Sequence, residues 1–394
     1  MNKIAEIMIG TIRAQVCGSE YKIDKDITQE ELNQLYILSK SQDMAHIVGA
    51  ELEKQGILKS GDEVSEKFRK QQMIAIFRYE RINYELEEIC RVLEEAQIPH
   101  MPLKGSVIRK YYPEPWMRTS CDIDILVHES DLKKATEICA SKLNYQVDDE
   151  VIYHNVSLYS EIGIHLELHF SISGCVYDVD NFLSKVWEHS LVEKGTRYRY
   201  CQTNEFLYFY IVTHLLSHFI YGGCGVKPVL DVYILNKKLS FDNNLVLGYL
   251  TRCKIQTFHE NINYLSCVWF CDSPHTHITL QLQTFILNGG AYGSQENRYA
   301  VAQGSQGGSV RYFFSRVFVP YSILKRQYKI LDKYKVLFPI ITVFRWFKII
   351  SPKRINNTVD EVKHTHTIDK EKINDVRDIL TTLGLDSESG FIIR

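Results

Sequence analysis

Two aspartates separated by one residue, Asp122 and Asp124, lie in an otherwise apolar segment, DIDILV. Alternate side chains of a β-strand share a face, so both carboxylates are expected to project together while Ile123 and Ile125 enter the core. Neighbouring carboxylates raise each other's pKa and destabilise the strand unless a cation lies between them. The pair therefore predicts a divalent-cation site, and a solvated acidic edge strand is the alternative.

A second alternating segment, IHLELHF at 164–170, offers a third carboxylate. His165, Glu167 and His169 are expected on one face of a strand, opposite its apolar residues. If this strand pairs with the first, Glu167 joins the two aspartates, and three oxygen ligands suit Mg²⁺, or Mn²⁺ in its place. The flanking histidines would instead suit zinc, and a half-exposed strand without any ligand is the third interpretation.

Upstream of the aspartates, Leu103 and Lys104 precede a corner of small residues, Gly105 and Ser106. Backbone N–H groups at such a corner can approach an anion, and the start of a helix adds a favourable partial charge. Lys104 and Arg118 would neutralise phosphate oxygens there. These residues predict a phosphate site, although a Gly-Ser pair also occurs in ordinary turns.

Two histidines four residues apart, His214 and His218, share one face of a predicted helix. Together with Lys227 and Asp231, they are predicted to line an acceptor or nucleotide pocket on a helical lobe. The alternative is that the histidines are packed or surface residues without a ligand, as helical histidines commonly are.

Residues 309–354 contain eleven Lys and Arg against a single Asp, a local net charge of +10, with aromatic residues interleaved. Such a segment would bind nucleic acid, anionic lipid or an anionic substrate. Its alternative is a helical lobe whose basic face pairs with acidic N-terminal helices. Within it, the apolar stretch 336–350 is too short and too charged for a predicted transmembrane segment. We expect a buried helix there rather than an interfacial one.

The elements that must position these residues follow from periodicity. Apolar residues at three- and four-residue spacing predict helices before Pro99, alternation then predicts a small mixed sheet with interleaved helices, and helical spacing returns from about Phe182. The predicted class is α+β, a mixed-sheet domain flanked by helical lobes. The predicted regions are 1–97 (helical), 98–180 (α/β core), 181–287 (helical lobe), 288–354 (Gly-rich connector and basic aromatic region) and 355–394 (polar tail with a short helix near 372–383).

The 394-residue chain has a formal charge of −2, with 45% hydrophobic and 24% charged residues. These values are typical of folded proteins and exclude disorder throughout and a polyanion-binding surface over the whole chain. Its 10 cysteines include no C-x-x-C pair, so no thiolate zinc site is predicted. Because no uninterrupted apolar run follows Met1, no signal peptide is predicted, and we expect a cytoplasmic protein.

The segments LKGSVIRKYYPEPWMRTSCDIDILV and IHLELHF resemble a bacterial nucleotidyltransferase family of the DNA polymerase beta-like superfamily. There, a hydrophobic-Gly-[Gly/Ser] corner precedes a strand with Asp-x-Asp, and a later strand supplies a third acid. The resemblance extends from about Tyr79 to Leu235 and includes HLLSHFIYGGCGVKPVLDVYIL. The chain departs from the pattern in its longer spacer before Asp122 and in having Glu167 where Asp is commoner.

The resemblance implies a reaction and roles for the three acids. Asp122 and Asp124 would hold two Mg²⁺ ions, and Glu167 would complete the site or act as the base near the acceptor. The implied reaction transfers an NMP from an NTP, such as ATP, to an unidentified small molecule, sugar or protein, with release of pyrophosphate. The acceptor does not follow from the fold.

The resemblance also implies that Gly105 and Ser106 cradle the β- and γ-phosphates, assisted by Lys104 and Arg118. Two other functions stay open. One is a non-catalytic module that keeps the fold and binds nucleotide, and the other is a nucleic-acid-associated factor that acts through 309–354 and binds in a salt-dependent manner. The intact acids favour the enzyme, because a decayed member would be expected to lose them.

Overall fold

The computed structural model describes residues 3–148, 155–173, 176–306, 321, 324, 328, 330–349 and 370–386. Within these residues the protein is mostly helical, with one five-stranded sheet and one two-stranded ribbon. Helices lie on both sides of the larger sheet. This architecture confirms the predicted α+β class.

The N-terminal region is helical, as predicted. Its helices are α1 (Lys3–Cys17), α2 (Gln29–Ser41), α3 (Ala45–Lys54) and α4 (Glu63–Glu95). A capping box starts α2, where the Thr28 side chain accepts from the N–H of Glu31 and the Glu31 carboxylate accepts from the N–H of Thr28. Helix α4 ends before Pro99, which cannot continue a helix.

The larger sheet has the order β1-β2-β5-β4-β3. Its strands are β1 (His100–Pro102), β2 (Asp122–Val127), β3 (Gln146–Val147), β4 (Asn155–Tyr159) and β5 (His165–His169). Strands β2 and β5 are parallel and the other neighbours are antiparallel, so the sheet is mixed. Helices α5 (Gly105–Ile108) and α6 (Leu132–Leu143) lie in the connections before and after β2.

One face of the sheet is apolar, and the other carries the acids together with Leu126, which packs in the large helical core. Ile123 and Leu166 point into a core formed with the C-terminal half of α4 and with α6. Because side chains alternate along a strand, the intervening Asp124 and Glu167 project from the opposite face. The predicted division of both strands into an apolar and a polar face is therefore observed.

Five helices follow α7 (Tyr177–Leu183) and the ribbon β6 (Ser190–Val192) and β7 (Tyr200–Gln202). They are α8 (Asn204–Ile220), α9 (Val226–Lys238), α10 (Asn243–Arg252), α11 (Gln256–Phe270) and α12 (His277–Gly289). A single large apolar core contains residues of these helices and of α1, α2 and α3, with Met8, Phe209 and Trp269 almost inaccessible. The N-terminal helices and the helical lobe are thus packed together.

The sequence predicts a connector from 288 to 308, but Gln295–Gln306 forms a helix, α13. Helix α13 packs against the helix Lys370–Thr382 and is stabilised by that contact. The short helix that the sequence predicts in the tail is thereby confirmed. The two helices touch at Gly304, where a Cβ would lie 3.4 Å from the Arg377 backbone, an ordinary van der Waals contact. The pattern misleads because glycine within a helix resembles a loop signal.

The prediction of a buried helix at 336–350 is wrong about burial. Helix Phe338–Ile349 forms, but Ile340, Val343 and Phe344 are exposed and Ile341 is buried. Residues 309–320, 322–323, 325–327, 329 and 350–354 of the basic segment lie outside the described residues. Where the structure describes the chain, no helix is long and apolar enough to cross a bilayer.

Candidate active site

Asp124 and Glu167 are direct neighbours across the parallel strands β2 and β5. The register pairs Asp124 with Glu167, and Asp122 with His165. Ligand atoms of Asp124, Glu167 and His169 all lie within 4.8 Å of one another. The two acidic strands therefore pair as the sequence predicts, and their pairing also brings His169 to the acids.

Asp124 is neutralised by two neighbouring side chains. Lys104 Nζ donates to its Oδ1 at 2.7 Å, and His169 Nε2 lies 2.7 Å from the same oxygen. Burial opposes ionisation of Asp124, but the contacts with Lys104 and His169 outweigh it and lower the pKa of the carboxyl. A charged group can stay in this buried place because its counter-charges are in direct contact.

His169 bridges two carboxylates, because its Nε2 also lies 3.2 Å from Oε2 of Glu167. Burial lowers the pKa of His169, but the hydrogen bonds to Asp124 and Glu167 more than reverse this effect, so the pKa is raised. The sequence places His169 on the correct face of β5. It does not show that the ring reaches across to β2.

Asp122 has a different environment from Asp124. Burial raises its pKa, the nearby charge of Asp124 raises it further, and Lys104 acts in the opposite direction. Its neighbour in register, His165, stacks on Tyr159 with ring centroids 4.6 Å apart. Among the described residues, the acid–histidine group contains neither His165 nor Asp122. The two flanking histidines therefore do not form a zinc pair, and Asp122, the third predicted metal ligand, lies on the same face but outside that group.

The predicted phosphate corner lies against the start of β2. The N–H of Leu103 donates to the carbonyl of Asp124 at 3.0 Å, and Lys104 turns the chain sharply with a φ of 46°. A Cβ on Gly105 would lie 3.0 Å from the Cβ of Ser120, so the close approach requires glycine. Ser106 follows, half-buried, at the start of α5.

Arg109 stabilises this corner, and sequence reasoning missed it. Its Nε donates to the Gly105 carbonyl at 3.0 Å and its Nη2 donates to Ser120 Oγ at 2.7 Å. Burial and the nearby charge of Arg118 lower its pKa to about 10. The only sequence signal is its position four residues after Gly105, one helical turn away.

Arg118 forms an ion pair with Asp231 of α9. Its Nε lies 2.8 Å and 3.0 Å from the two oxygens of the Asp231 carboxylate, and Tyr112 donates to the same carboxylate at 2.7 Å. Burial lowers the pKa of Arg118, but the charge of Asp231 more than reverses this, so the pKa is raised. The Arg118 charge is thus compensated within the protein.

Lys227 is held in a similar way. Its Nζ lies 2.5 Å from Oδ2 of Asp43, and the hydroxyl of Thr119 donates to the same oxygen at 2.8 Å. Burial and the charge of Arg118 lower the pKa of Lys227, and Asp43 partly opposes this shift. Two of the four predicted pocket residues, Lys227 and Asp231, therefore have charged partners of their own.

The other two predicted pocket residues, His214 and His218, contact each other through their Nε2 atoms at 3.1 Å. Burial, followed by the positive charge of Lys104, lowers the pKa of both rings. Arg118 and Lys227 lower the pKa of His218 further. The lowered pKa favours the neutral form of both rings, and each of the three neighbouring cations has a carboxylate partner.

A sequence profile of a family described as uncharacterised nucleotidyltransferase matches residues 28–270. The match covers more than half of the chain and contains the phosphate corner, both acidic strands and helices α8 and α9. The protein belongs to this nucleotidyltransferase family. No curated protein and no solved structure matches the chain.

Helix α8 of this family member also contributes Tyr210, which sequence reasoning missed. The side chain is buried, and burial raises its pKa. It lies close enough to Lys104 and Asp124 for their charges to affect this pKa. Its position, one helical turn before His214, is a weak signal, because an aromatic residue in an apolar helix usually belongs to the core.

An exposed tyrosine, Tyr292, lies at the edge of the carboxylate strand β2. Its hydroxyl is 3.9 Å from Sγ of Cys121, the residue before Asp122. Its loop packs backbone to backbone on the loop after α8, where a Cβ on Gly293 would lie 2.3 Å from the carbonyl oxygen of Gly222. The sequence shows two glycine clusters, but only the fold shows that they meet and place Tyr292 beside the acids.

Proposed function

We propose that the protein transfers an NMP from an NTP to an unidentified acceptor, with the chemistry of the DNA polymerase beta-like superfamily. The observation that carries this proposal is the register of Asp124 opposite Glu167, with Asp122 on the same face and Lys104 in contact with Asp124. An oxygen of the acceptor forms a bond to the α-phosphorus, and the bond from that phosphorus to the β-bridging oxygen breaks. Pyrophosphate leaves with the bond electrons.

The donor set fits a divalent cation with hard ligands. Asp124 and Glu167 present oxygens within 4.8 Å of each other. Burial and the charge of Asp124 raise the pKa of Asp122, so a bound cation would favour the ionised form of this third carboxylate. Asp122, Asp124 and Glu167 would hold Mg²⁺, or Mn²⁺. When bound, the metal supplies positive charge that stabilises the triphosphate and the leaving pyrophosphate.

The chain's own residues supply binding, orientation and proton transfer. Lys104, Gly105 and Ser106 would bind the β- and γ-phosphates against the start of β2. Arg118 would add a positive charge whose position is fixed by Asp231. Glu167 is less buried than Asp124, with 21% of its side chain exposed against 4%, and is therefore the better placed of the two to accept the acceptor hydroxyl proton.

The nucleotide base would stack on Tyr292. The ring is exposed beside Cys121, at the edge of the carboxylate strand, and an aromatic face binds any base without hydrogen-bond readout. His214 and His218 would contact the phosphates or the acceptor from helix α8. A neutral histidine donates one hydrogen bond without adding charge.

A non-catalytic nucleotide-binding module is the second candidate, and one observation favours it. Lys104 and His169 both contact Oδ1 of Asp124, so part of the acidic charge is already compensated without a metal. A protein of this kind would bind an NTP through its cationic side chains and would not transfer it.

Thermal unfolding with each NTP, with and without Mg²⁺, tests the proposal on the wild type and on Asp122→Asn. An increase in unfolding temperature that requires both Mg²⁺ and one NTP, and that Asp122→Asn lacks, identifies the donor for an acceptor screen. An increase in unfolding temperature that is independent of Mg²⁺ and persists in Asp122→Asn favours the binding module. If no NTP changes the unfolding temperature, both candidate functions are contradicted.

Transfer itself is then measured with the identified donor and a panel of candidate acceptors. Glu167→Gln should remove transfer, while His214→Ala should mainly weaken substrate affinity. Wild-type transfer by the Glu167 variant would show that the third acid lies elsewhere.

A further inference from the structure

An apolar face is exposed on the helix Phe338–Ile349 and on the turn before it. Val336 is 86% exposed, Ile340 64% and Phe344 51%, and Val343 is exposed as well. Spacings of three and four residues place Ile340, Val343 and Phe344 on one side of the helix. These residues form a continuous stripe, in contrast to the isolated apolar residues found on most protein surfaces.

The opposite side of this helix is anchored. Ile341 packs in a small core with Leu324 and Leu331. Tyr321 donates a hydrogen bond to the carbonyl of Leu331 at 2.7 Å, and its ring contacts Phe338 edge-on at 5.5 Å. The orientation of the helix is therefore set by its inner face, and the fold keeps the other face outside.

Basic side chains flank the exposed stripe. Lys333 and Lys335 are exposed, and Lys333 lies 5.9 Å from the centre of the Tyr334 ring. An apolar stripe next to exposed lysines is typical of helices that lie in a membrane interface.

We propose that this surface docks the protein on an anionic lipid bilayer. The helix has 12 residues, which is too short to span a bilayer but long enough to insert its apolar face among the headgroups. Val336, Ile340, Val343 and Phe344 enter the interface while Lys333 and Lys335 contact anionic headgroups. The protein thus docks peripherally on a membrane surface.

Charge and side-chain chemistry favour a bilayer over two other occupants. A second copy of the chain would bring Lys333 and Lys335 of both copies together, and that repulsion opposes a dimer through this face. Single-stranded nucleic acid is bound by aromatic platforms on which bases stack. The most exposed residues of the stripe, Val336 and Ile340, are aliphatic and offer no such platform.

Vesicle flotation of the full-length protein tests the proposal. Vesicles of phosphatidylcholine with 30% phosphatidylserine (about a third anionic lipid, enough for basic residues to respond) are compared with pure phosphatidylcholine. We expect binding to the anionic vesicles and at least about 100-fold weaker partitioning for Ile340→Ser/Phe344→Ser, because two large apolar side chains no longer enter the interface.

The matched control is Met73→Ser/Phe77→Ser, which changes two apolar residues of α4 that are 70% and 62% exposed. This variant should float like the wild type, so that a loss specific to the helix is separated from a general loss of surface hydrophobicity. Thermal unfolding of both variants shows whether each is folded. All four positions are exposed, and we expect little change.

Lys333→Gln/Lys335→Gln tests the electrostatic part. Each lysine should contribute roughly five-fold to the affinity for anionic vesicles, so we expect about 25-fold weaker binding and a smaller salt dependence. Equal binding to neutral and anionic vesicles, or wild-type flotation of Ile340→Ser/Phe344→Ser, overturns the proposal. The proposal is also overturned if the protein does not bind vesicles but dimerises or binds RNA through this stripe.

Discussion

The carboxylate cluster (Asp122, Asp124 and Glu167) and the helical wall (Arg118, His214, His218, Lys227 and Asp231) are built by different means. Asp124 meets Glu167 because two strands of one sheet are neighbours in register. Arg118 and Lys227 depend on ion pairs with Asp231 and Asp43, which are far away in the sequence. The first arrangement is a property of two alternating strands, whereas the second is a property of how the helices pack on them.

The two regions also differ in charge. The cluster contains three acids; Lys104 and His169 both contact Asp124, and His169 also contacts Glu167. In the helical wall each charged group has a partner, and both histidines have a lowered pKa. The cluster should therefore respond to added cations, and the helical wall to acid.

The largest expected effect compares the two aspartates of the cluster. Asp124→Asn leaves Lys104 and His169 without their buried anion, so we expect the free energy of unfolding to fall by about 3–5 kcal/mol. Asp122→Asn should leave that free energy nearly unchanged or slightly raised, because the carboxyl removed has a raised pKa. Both variants should lose Mg²⁺-dependent nucleotide binding. Urea unfolding and thermal shifts measure the two quantities.

Equal destabilisation of the two variants would show that the aspartates share one environment, contrary to the structure. A wild-type nucleotide shift in both would remove the carboxylates from the site altogether.

The second prediction tests the ion pairs of the helical wall. Arg118→Gln leaves Asp231 buried beside Tyr112 without its cation, and we expect a loss of about 3 kcal/mol in the free energy of unfolding. Arg118→Gln/Asp231→Asn should lose less than the sum of the single changes, with a coupling of about 2 kcal/mol. Urea unfolding of the four proteins measures the coupling, and additivity would contradict the pair.

The third prediction concerns the pH dependence of stability and the residue His46, which neighbours the helical wall. Its Nε2 donates to the carbonyl of Met117 at 2.9 Å. Burial lowers the pKa of His46 from 6.5 to about 4. Between these two pKa values His46 is protonated in the unfolded chain but not in the folded protein, so the free energy of unfolding falls as pH falls. The loss is about 3 kcal/mol from this residue.

Urea unfolding from pH 7 to pH 4 measures this effect. His46→Gln should decrease the slope of unfolding free energy against pH by about one proton, whatever its own stability. An unchanged slope would show that His46 is protonated in the folded protein.

The smallest expected effect concerns Tyr292 at the edge of the site. Tyr292→Ala should weaken nucleotide binding about ten-fold through lost stacking, and Tyr292→Phe should bind like the wild type. Because the ring is exposed, neither change should alter unfolding. Calorimetric titration with the identified NTP measures both affinities, and equal affinities for the Ala and Phe variants would exclude stacking.

Much of the carboxylate cluster could be predicted from the sequence. Alternation in DIDILV and HLELH fixes which side chains share a face, because the period of a strand is two. The helix starts also follow from local residues, as the capping box of Thr28 and Glu31 shows. These are short-range rules, and they hold whatever else the chain does.

The helical wall could be predicted only as a set of residues. Sequence analysis placed His214, His218, Lys227 and Asp231 together, but not the ion pairs that hold the last two. Nor could it find Tyr292, which is placed by the contact between Gly222 and Gly293. Such contacts join residues that are distant in the chain, and no local pattern records them.

The sequence alone therefore determined the α+β class, the acidic strands and the glycine corner, because backbone geometry dictates these from neighbouring residues. Only the tertiary structure decided that Asp124 is neutralised by Lys104 and His169, and that the helix Phe338–Ile349 keeps its apolar face outside. Charge compensation and burial depend on what packs nearby, and the chain sets this only when it folds as a whole.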